Sequence, residues 1–485
     1  MYQPILEKAL GFKQDYTIVP ICREIYADII TPITLLQKLA VANTHYFLLE
    51  SVEDGNRWKR YSFLGFEPAV TANCKNGVVT LKGEIEKEIE TAKPMEVLRE
   101  VLKDFHSPCI PEFPSFTGGF VGYFSYEMIG YAEPTLKLKN SDFNDFSLML
   151  FDKVIAYDHL KQKICVIVNM RLAYGEQGYR NACSKIDDIV NLINEPTLLN
   201  TEKCSEDPQF RCNLSEDEYC NLVERTKEYI VNGDFFQAVI SRRFEAPFKS
   251  SLMDTYRVLR TTNPSPYMFL MNIDGLQYAG TSPETLIKLK DGKLITYPVA
   301  GTRPRGADYE KDQALEKELL ADEKELAEHN MLVDLARNDI GRIAKFSTVK
   351  VEEYMQIHRY SKVMHIASVV CGEIREDKDA FDAIEVMLPA GTLSGAPKIR
   401  ACEVINELET TARGIYGGAI GYVDFWGNMD TCIAIRMAIK KDNIIYVQAG
   451  GGIVADSVPY NEYLESQNKA GAIINALKTA KEVNS

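Results

Sequence analysis

The sequence has no Cys-x-x-Cys pair; its eleven cysteines are scattered and odd in number, which excludes a disulfide frame or a cysteine zinc site and fits reduced cytosolic thiols. Basic charge is not in excess either. With 55 Lys+Arg against 69 Asp+Glu the net charge is -14, so nucleic acid and anionic membrane are excluded as main partners, while a local basic pocket for a small anion stays open. No run approaches the length of a membrane span. Met1 to Gly11 carries Glu7 and Lys8 where a signal peptide needs an unbroken apolar segment. Internal repeats and low-complexity tracts are absent too. What is there is the profile of a cytoplasmic globular protein: 46% hydrophobic residues over 485 positions, enough for roughly two to four domains or one large interleaved one.

Residues 1–195 mix short helices with many strands. Strands are expected over Tyr46–Ser51 and Tyr61–Phe66, in a hairpin turning at Asn76-Gly77, over Phe116–Tyr126, and over Ser147–Ile155 returning as Ile164–Met170. Helices are expected over Thr31–Val41, Met95–Phe105 and Asn181–Leu192. A polar, unpatterned stretch then reads as a linker over 196–211. In the remainder, 212–485, Ser215 to Glu218 forms a capping box that opens a helix closed by Gly233. Turn signals stand at Asp274-Gly275, Asp291-Gly292 and Asp442-Asn443. Hairpins mixed with helices predict an α+β fold, antiparallel sheets covered by helices, rather than a doubly wound parallel sheet.

Two helical stretches carry acids where apolar side chains belong. In the first, Glu325 and Glu328 share a stripe with Leu332 and Leu335; in the second, Glu462 and Glu465 share one with Lys469, Ala472 and Ala476. One such pair alone is an ordinary solvated face. Two pairs, each merging into an apolar stripe, point to four inward carboxylates that repel one another unless a cation lies between them, and hard oxygen ligands suit Mg²⁺.

Other motifs are read beside plainer alternatives. Gly450, Gly451 and Gly452 end a strand and imitate a dinucleotide fingerprint, but only about thirty residues follow, too few for a βαβ unit. They are better read as bare backbone N–H groups facing an anionic ligand. The loop Pro389 to Lys398 either caps a helix or, through its amides and Lys398, holds a carboxylate or phosphate. Strict alternation through Asp430–Ile439 places Arg436 among Cys432, Ala434 and Ala438, leaving space for something planar and acidic, or for a structural ion pair. His329 and His365 are weak signals alone; His329 is placed to support Glu328.

Taken in order, Gly233 to Gln237, Thr281 to Glu284, Ala300 to Thr302, Glu325 to Asp339, Ser361 to His365, Pro389 to Lys398, Arg413 to Tyr422, Asp430 to Arg436 and Gln448 to Lys469 resemble the motifs of the chorismate-utilising enzymes. Within that family the nearest likeness is to the anthranilate synthases. Gln237 stands where water-using relatives carry a lysine base, and Ala300 stands where aminodeoxychorismate-forming relatives carry a lysine that can attack the ring. The resemblance implies a four-layer αββα sandwich of two interleaved subdomains. It implies conversion of chorismate and ammonia to anthranilate and pyruvate, with Mg²⁺ on Glu328 and Glu465 and with Glu325 and Glu462 binding directly or through water.

The resemblance further implies Glu284 as general acid and His365 as the base for a later step, with Gln237 as a third catalytic position. Gly301, Thr302, Tyr416, Arg436, Gly450, Gly451, Gly452 and Lys469 would bind substrate. Residues 1–195 would form a regulatory region, and Glu50, Ser51, Pro266, Tyr267 and Met268 a tryptophan feedback pocket. No glutaminase segment with its nucleophilic cysteine turn is present, so a separate glutamine amidotransferase subunit, and with it a hetero-oligomer, is expected. The alternatives are an aminodeoxychorismate synthase large subunit, or a catalytically silent tryptophan-binding regulator that kept the fold.

Overall fold

The computed structural model describes every residue except 54–56, 59, 197–203, 205, 360–362 and 484–485. Most of the linker expected over 196–211 therefore lies outside the described residues, as does Ser361. Two large antiparallel sheets dominate, of thirteen and twelve strands among the described residues. Their hairpins form where the sequence supplies turn chemistry: Asn76-Gly77, Asp274-Gly275, Asp291-Gly292 and Asp442-Asn443 all carry positive φ at both positions, from 49° to 87°. That pair of left-handed residues gives a two-residue turn whose twist matches the strands it joins.

Each sheet draws strands from both sides of the 196–211 segment. In the first, Tyr46–Glu50 pairs with Tyr267–Ile273, Met268 opposite Glu50. In the second, Gly119–Phe124 pairs with Ala419–Asp424. The segment divides the sequence, whereas the sheets run across it.

The sheets face each other over an apolar layer that includes Phe47, Phe116, Phe151, Phe269 and Tyr278. Helices Pro32–Ala42, Gly175–Asn194, Met253–Thr262 and Pro459–Thr479 bury their apolar faces against the outside of the first sheet. Helices Pro94–Lys103, Glu323–Gly341 and Ala380–Met387 cover the second. The expected helix, sheet, sheet, helix order is what the packing produces. No helix of the described residues is long and apolar enough to cross a membrane.

Two expected strands are each broken in two. Ser147–Ile155 divides into Phe146–Phe151 of the second sheet and Lys153–Asp158 of the first. The break is at Asp152, whose carbonyl accepts from the Asn169 backbone N–H at 2.8 Å and its side-chain amide at 3.0 Å. The alternation read through Asp430–Ile439 likewise fails: Met429–Ile433 belongs to the second sheet and Met437–Lys441 to the first, with Arg436 in the crossover at φ 53°. Continuous apolar character hides such a step, because both halves are buried between the sheets.

A buried ion pair ties three segments together. Arg413, 2% exposed, donates to both oxygens of Glu409 at 2.6 and 2.9 Å and to the carbonyls of Val239 and Leu393. Ser241 gives Glu409 two more hydrogen bonds. Arg413→Met would strand the Glu409 charge in the interior, and urea unfolding is expected to show a loss of about 3–5 kcal/mol. A loss below about 1 kcal/mol would mean that the clamp is not structural.

Candidate functional site

The two acid-bearing helices arise from ordinary end signals. Asp322 caps Glu323–Gly341 by accepting from the N–H groups of Lys324 and Glu325, and its first-turn acids suit the positive end of the helix dipole. Pro459 opens Pro459–Thr479, where its missing N–H costs nothing. The first helix packs on strands Val299–Pro304 and Val363–Glu373, the second on strand Ile444–Ile453. From these different layers Glu328 and Glu465 come within each other's field, but not all four acids turn inward as expected: the Glu465 side chain is 51% exposed.

Glu328 is half-buried, and its carboxyl is raised by burial first, then by the charges of Glu325 and Glu465. Glu462 is raised by burial, with Glu465 adding to the shift, although the Ser457 hydroxyl donates to it at 2.8 Å. Glu328 thus feels an acid of the second helix, while from the first helix Glu462 feels the opposing field of Lys324. Compensation is partial: Lys469 pairs with Glu465 at 2.5 Å and Arg303 reaches Glu325 at 3.6 Å. The donor set is hard oxygen and fits Mg²⁺ in kind. Among the described residues, however, no three carboxylate, histidine or cysteine side chains stand at metal-ligand spacing.

Glu284 lies where the chain steps from the first sheet to the second, between strands Leu276–Ser282 and Thr285–Lys290. The crossover at Ala434–Arg436 runs beside it in the opposite sense: the Ile433 N–H donates to the Glu284 carbonyl at 3.0 Å, and the Thr281 N–H to the Arg436 carbonyl at 3.1 Å. Burial pushes the Glu284 carboxyl up to about 7, against a hydrogen bond from Thr392 at 2.7 Å and the positive fields of Lys469 and Arg436. Burial lowers the Arg436 guanidinium, and no described carboxylate lies at ion-pair distance from it; its counter-fields come from Tyr416, Glu465 and Glu284. A desolvated guanidinium without a carboxylate partner is a receptor for an anion. Tyr416 is buried beside it, raised to about 12 by burial and held by the Gly450 N–H.

His365 is placed by a bulge. The strand Val299–Pro304 slips one residue between Ala300 and Thr302, with Gly301 at φ 65°. The Gly301 carbonyl and the Thr302 hydroxyl both lie 3.0 Å from His365 Nδ1. With Nδ1–H donating to the carbonyl, Nε2 is the ring's basic nitrogen. Burial lowers the imidazole below its ordinary range, so it is neutral near pH 7.

The glycines 450–452 serve close approach. A Cβ at Gly451 would stand 2.8 Å from Glu462, and one at Gly452 2.2 Å from the Gln237 amide. Gln237 is 4% exposed, and its buried Oε1 accepts no hydrogen bond among the described residues. These glycines make room for Glu462 and Gln237, a role that the reading as bare backbone N–H groups facing an anion did not include.

One open reading is narrowed and one expectation is corrected. The Lys398 ammonium is engaged inside the fold, which favours the plainer reading of its loop: it is buried, 2.7 Å from Asp339, with further contacts to the carbonyls of Val386 and Met387. The member of that loop that reaches Glu284 is Thr392, which nothing in the spacing of the motif distinguishes from its neighbours. His329 does not support Glu328; fully buried, it bonds Ser368 at 2.7 Å, and burial lowers it to about 4.

The five positions expected to bind a regulator share one pair of strands but not one face. Glu50 and Met268 turn toward the helix layer, where Arg260 and Tyr256 bond the Glu50 carboxylate at 3.0 and 2.7 Å. The Ser51 hydroxyl donates to the Pro266 carbonyl at 2.5 Å. Tyr267 turns inward between the sheets.

Known proteins resemble the chain over nearly its whole length. The family described as chorismate binding enzyme matches residues 44–475. Anthranilate synthase component 1 of Acetivibrio thermocellus is 45% identical, covering 100% of both chains. The protein of the same name from Aquifex aeolicus is also 45% identical, over 98% of each. The crystal structure of anthranilate synthase component I from Streptococcus pneumoniae superposes with a TM-score of 0.79 at 37% identity, covering 93% of this chain and 99% of that one. The menaquinone-specific isochorismate synthase of Escherichia coli shares the fold at 19% identity and a TM-score of 0.70, over 98% and 99%.

A carboxyl held near 7 in the fold against an ordinary 4.5 costs stability as pH rises between those values. Glu284→Gln is therefore expected to raise stability by about 3 kcal/mol at pH 8 and to leave it unchanged at pH 4, read by thermal unfolding at both. Thr392→Val removes a bond that favours the carboxylate, so the Glu284 acid band in infrared difference spectra should titrate at higher pH than in the wild type. A midpoint that stays or falls would detach Thr392 from Glu284.

Proposed function

Because the chain belongs to the family of chorismate binding enzymes, we propose that it is the large subunit of an anthranilate synthase, converting chorismate and ammonia to anthranilate, pyruvate and water. The single observation that carries this reading is that Glu284, whose buried carboxyl is pushed up to about 7, shares its setting with an Arg436 that has no carboxylate at ion-pair distance among the described residues. The first is a proton donor and the second a carboxylate receptor, the two needs of an elimination from an anionic substrate.

Mg²⁺ would be held by Glu328 and Glu465, with Glu325 and Glu462 beside them, and it supplies neutralisation of charge on the ring carboxylate. The residues do the rest. Arg436 takes the enolpyruvyl carboxylate, with the Tyr416 ring alongside, and so fixes the substrate's orientation. Glu284 gives its proton to the departing C4 hydroxyl, which leaves as water while ammonia bonds at C2; a positioned acid contributes about 10²–10⁴ in rate. His365 Nε2 then takes the C2 proton, the bond from ring C3 to the enolpyruvyl oxygen breaks as the ring becomes aromatic, and the expelled enolpyruvate takes up one proton to leave as pyruvate, so that the proton gained by His365 is balanced. Gln237 brings an amide rather than a base, and Ala300 no amine, so neither water activation nor a lysine adduct has a group to carry it.

Ammonia is supplied by a separate glutamine amidotransferase subunit. Tryptophan binds where strands Tyr46–Glu50 and Tyr267–Ile273 meet and restrains the reaction.

With chorismate, ammonium and Mg²⁺, the isolated chain is expected to release anthranilate, followed by fluorescence, and pyruvate in equal amount. Glu328→Gln should abolish both while the protein stays folded. His365→Ala should go on consuming chorismate but release anthranilate at less than about a hundredth of the wild-type rate. Chorismate conversion to isochorismate, or to an aminated product without pyruvate, would replace this reading with another activity of the fold.

A further inference from the structure

Tyr267 stands between the two sites. It begins the strand Tyr267–Ile273, flanked by Pro266 and Met268 of the pocket, and it faces Ser282 across the ladder. Its hydroxyl crosses the space between the sheets, donating to Asp430 at 2.6 Å and lying 3.0 Å from the Thr285 hydroxyl. Thr285 and Ser282 bracket Glu284. Ser282 is also locked to the second crossover, its hydroxyl donating to the Ile433 carbonyl at 2.7 Å. Asp430 is held in turn by Lys288 at 3.2 Å, whose ammonium lies 5.4 Å from the Tyr267 ring centroid.

The pocket side is fixed as firmly. Ser51 bonds the Pro266 carbonyl, the Val52 N–H reaches the Ser265 carbonyl at 3.2 Å, and Glu50, opposite Met268, is held by Arg260, Tyr256 and Ser62. Tyr267 follows Pro266 directly at the start of this strand, so a shift of the strand's start carries the phenol and its hydroxyl contacts with it.

We propose that the Tyr267 hydroxyl is a positioning contact for Glu284 that transmits occupancy of the pocket to the general acid, through Thr285 and Asp430. This rests on the reading of the pocket as the tryptophan site. Binding and inhibition are then separable: the Tyr267 side chain faces the inter-sheet space, while Glu50 and Met268 face the helix layer and Ser51 bonds the Pro266 backbone. Coupling of this kind is reciprocal, so chorismate bound at Glu284 weakens tryptophan through the same contact.

The test uses the full chain in the ammonium assay, with tryptophan binding measured separately by calorimetry. In Tyr267→Phe, kcat is expected to fall about 3- to 10-fold with the chorismate KM unchanged, as for loss of one buried hydrogen bond. Tryptophan affinity should stay within about 3-fold of wild type, while saturating tryptophan leaves at least about half of the variant's rate. Asp430→Ala should behave alike from the other end of the contact, and Thr285→Ser, which keeps the hydroxyl, should be inhibited as the wild type is. If Tyr267→Phe binds tryptophan and is inhibited as fully as the wild type, the coupling is wrong and the pocket stands. A wild-type chain that takes up no tryptophan removes the pocket reading and the coupling together.

Discussion

Glu284 and Arg436 are opposite in charge, both desolvated, and each within the other's field, yet they do not meet. Left to rotate freely, a carboxyl and a guanidinium in a shared apolar setting would close into a bidentate pair, and the site would be spent on an internal salt bridge. The backbone prevents it. Each residue sits on a segment stepping between the sheets, and the bonds from Ile433 to Glu284 and from Thr281 to Arg436 set the two segments side by side in opposite sense. Arg436 is further held at φ 53°, where few side chains rest. The separation leaves a proton on Glu284 and an unmet charge on Arg436, and the chemistry draws on both.

Much of the surrounding structure keeps this arrangement rigid. Arg413 ties the Leu393 carbonyl, next to Thr392, to the strand that begins at Gln237. The bulge at Gly301 points one carbonyl at His365 and opens room for Glu325, which would lie 3.2 Å from any Cβ there. Gly451 and Gly452 do the same for Glu462 and Gln237. Close approach of backbone to functional side chains is a recurring device here, and it requires residues without a Cβ.

The acid pairs on the two helices were legible because periodicity sets the face: a carboxylate on a stripe that is apolar one turn later contradicts simple burial. Hairpin turns were legible because two successive left-handed residues require Asn, Asp or Gly. The break at Asp152 and the crossover at Arg436 were not, since apolar character continues through them and only the partner strands change. Lys398 stayed open for a related reason. A lysine at a glycine-rich helix entrance looks like an anion site until Asp339, distant in sequence, is found 2.7 Å away.

The sequence by itself determined the class of fold, the turns, the two carboxylate helices and the family motifs, because each depends on spacing along one segment. Only the tertiary structure decided that Thr392 serves Glu284 while Lys398 serves Asp339, that His329 faces Ser368, and that Tyr267 turns inward. Those outcomes depend on which residues from separate segments desolvate one another, and burial and field are properties of the packed chain rather than of any stretch of it.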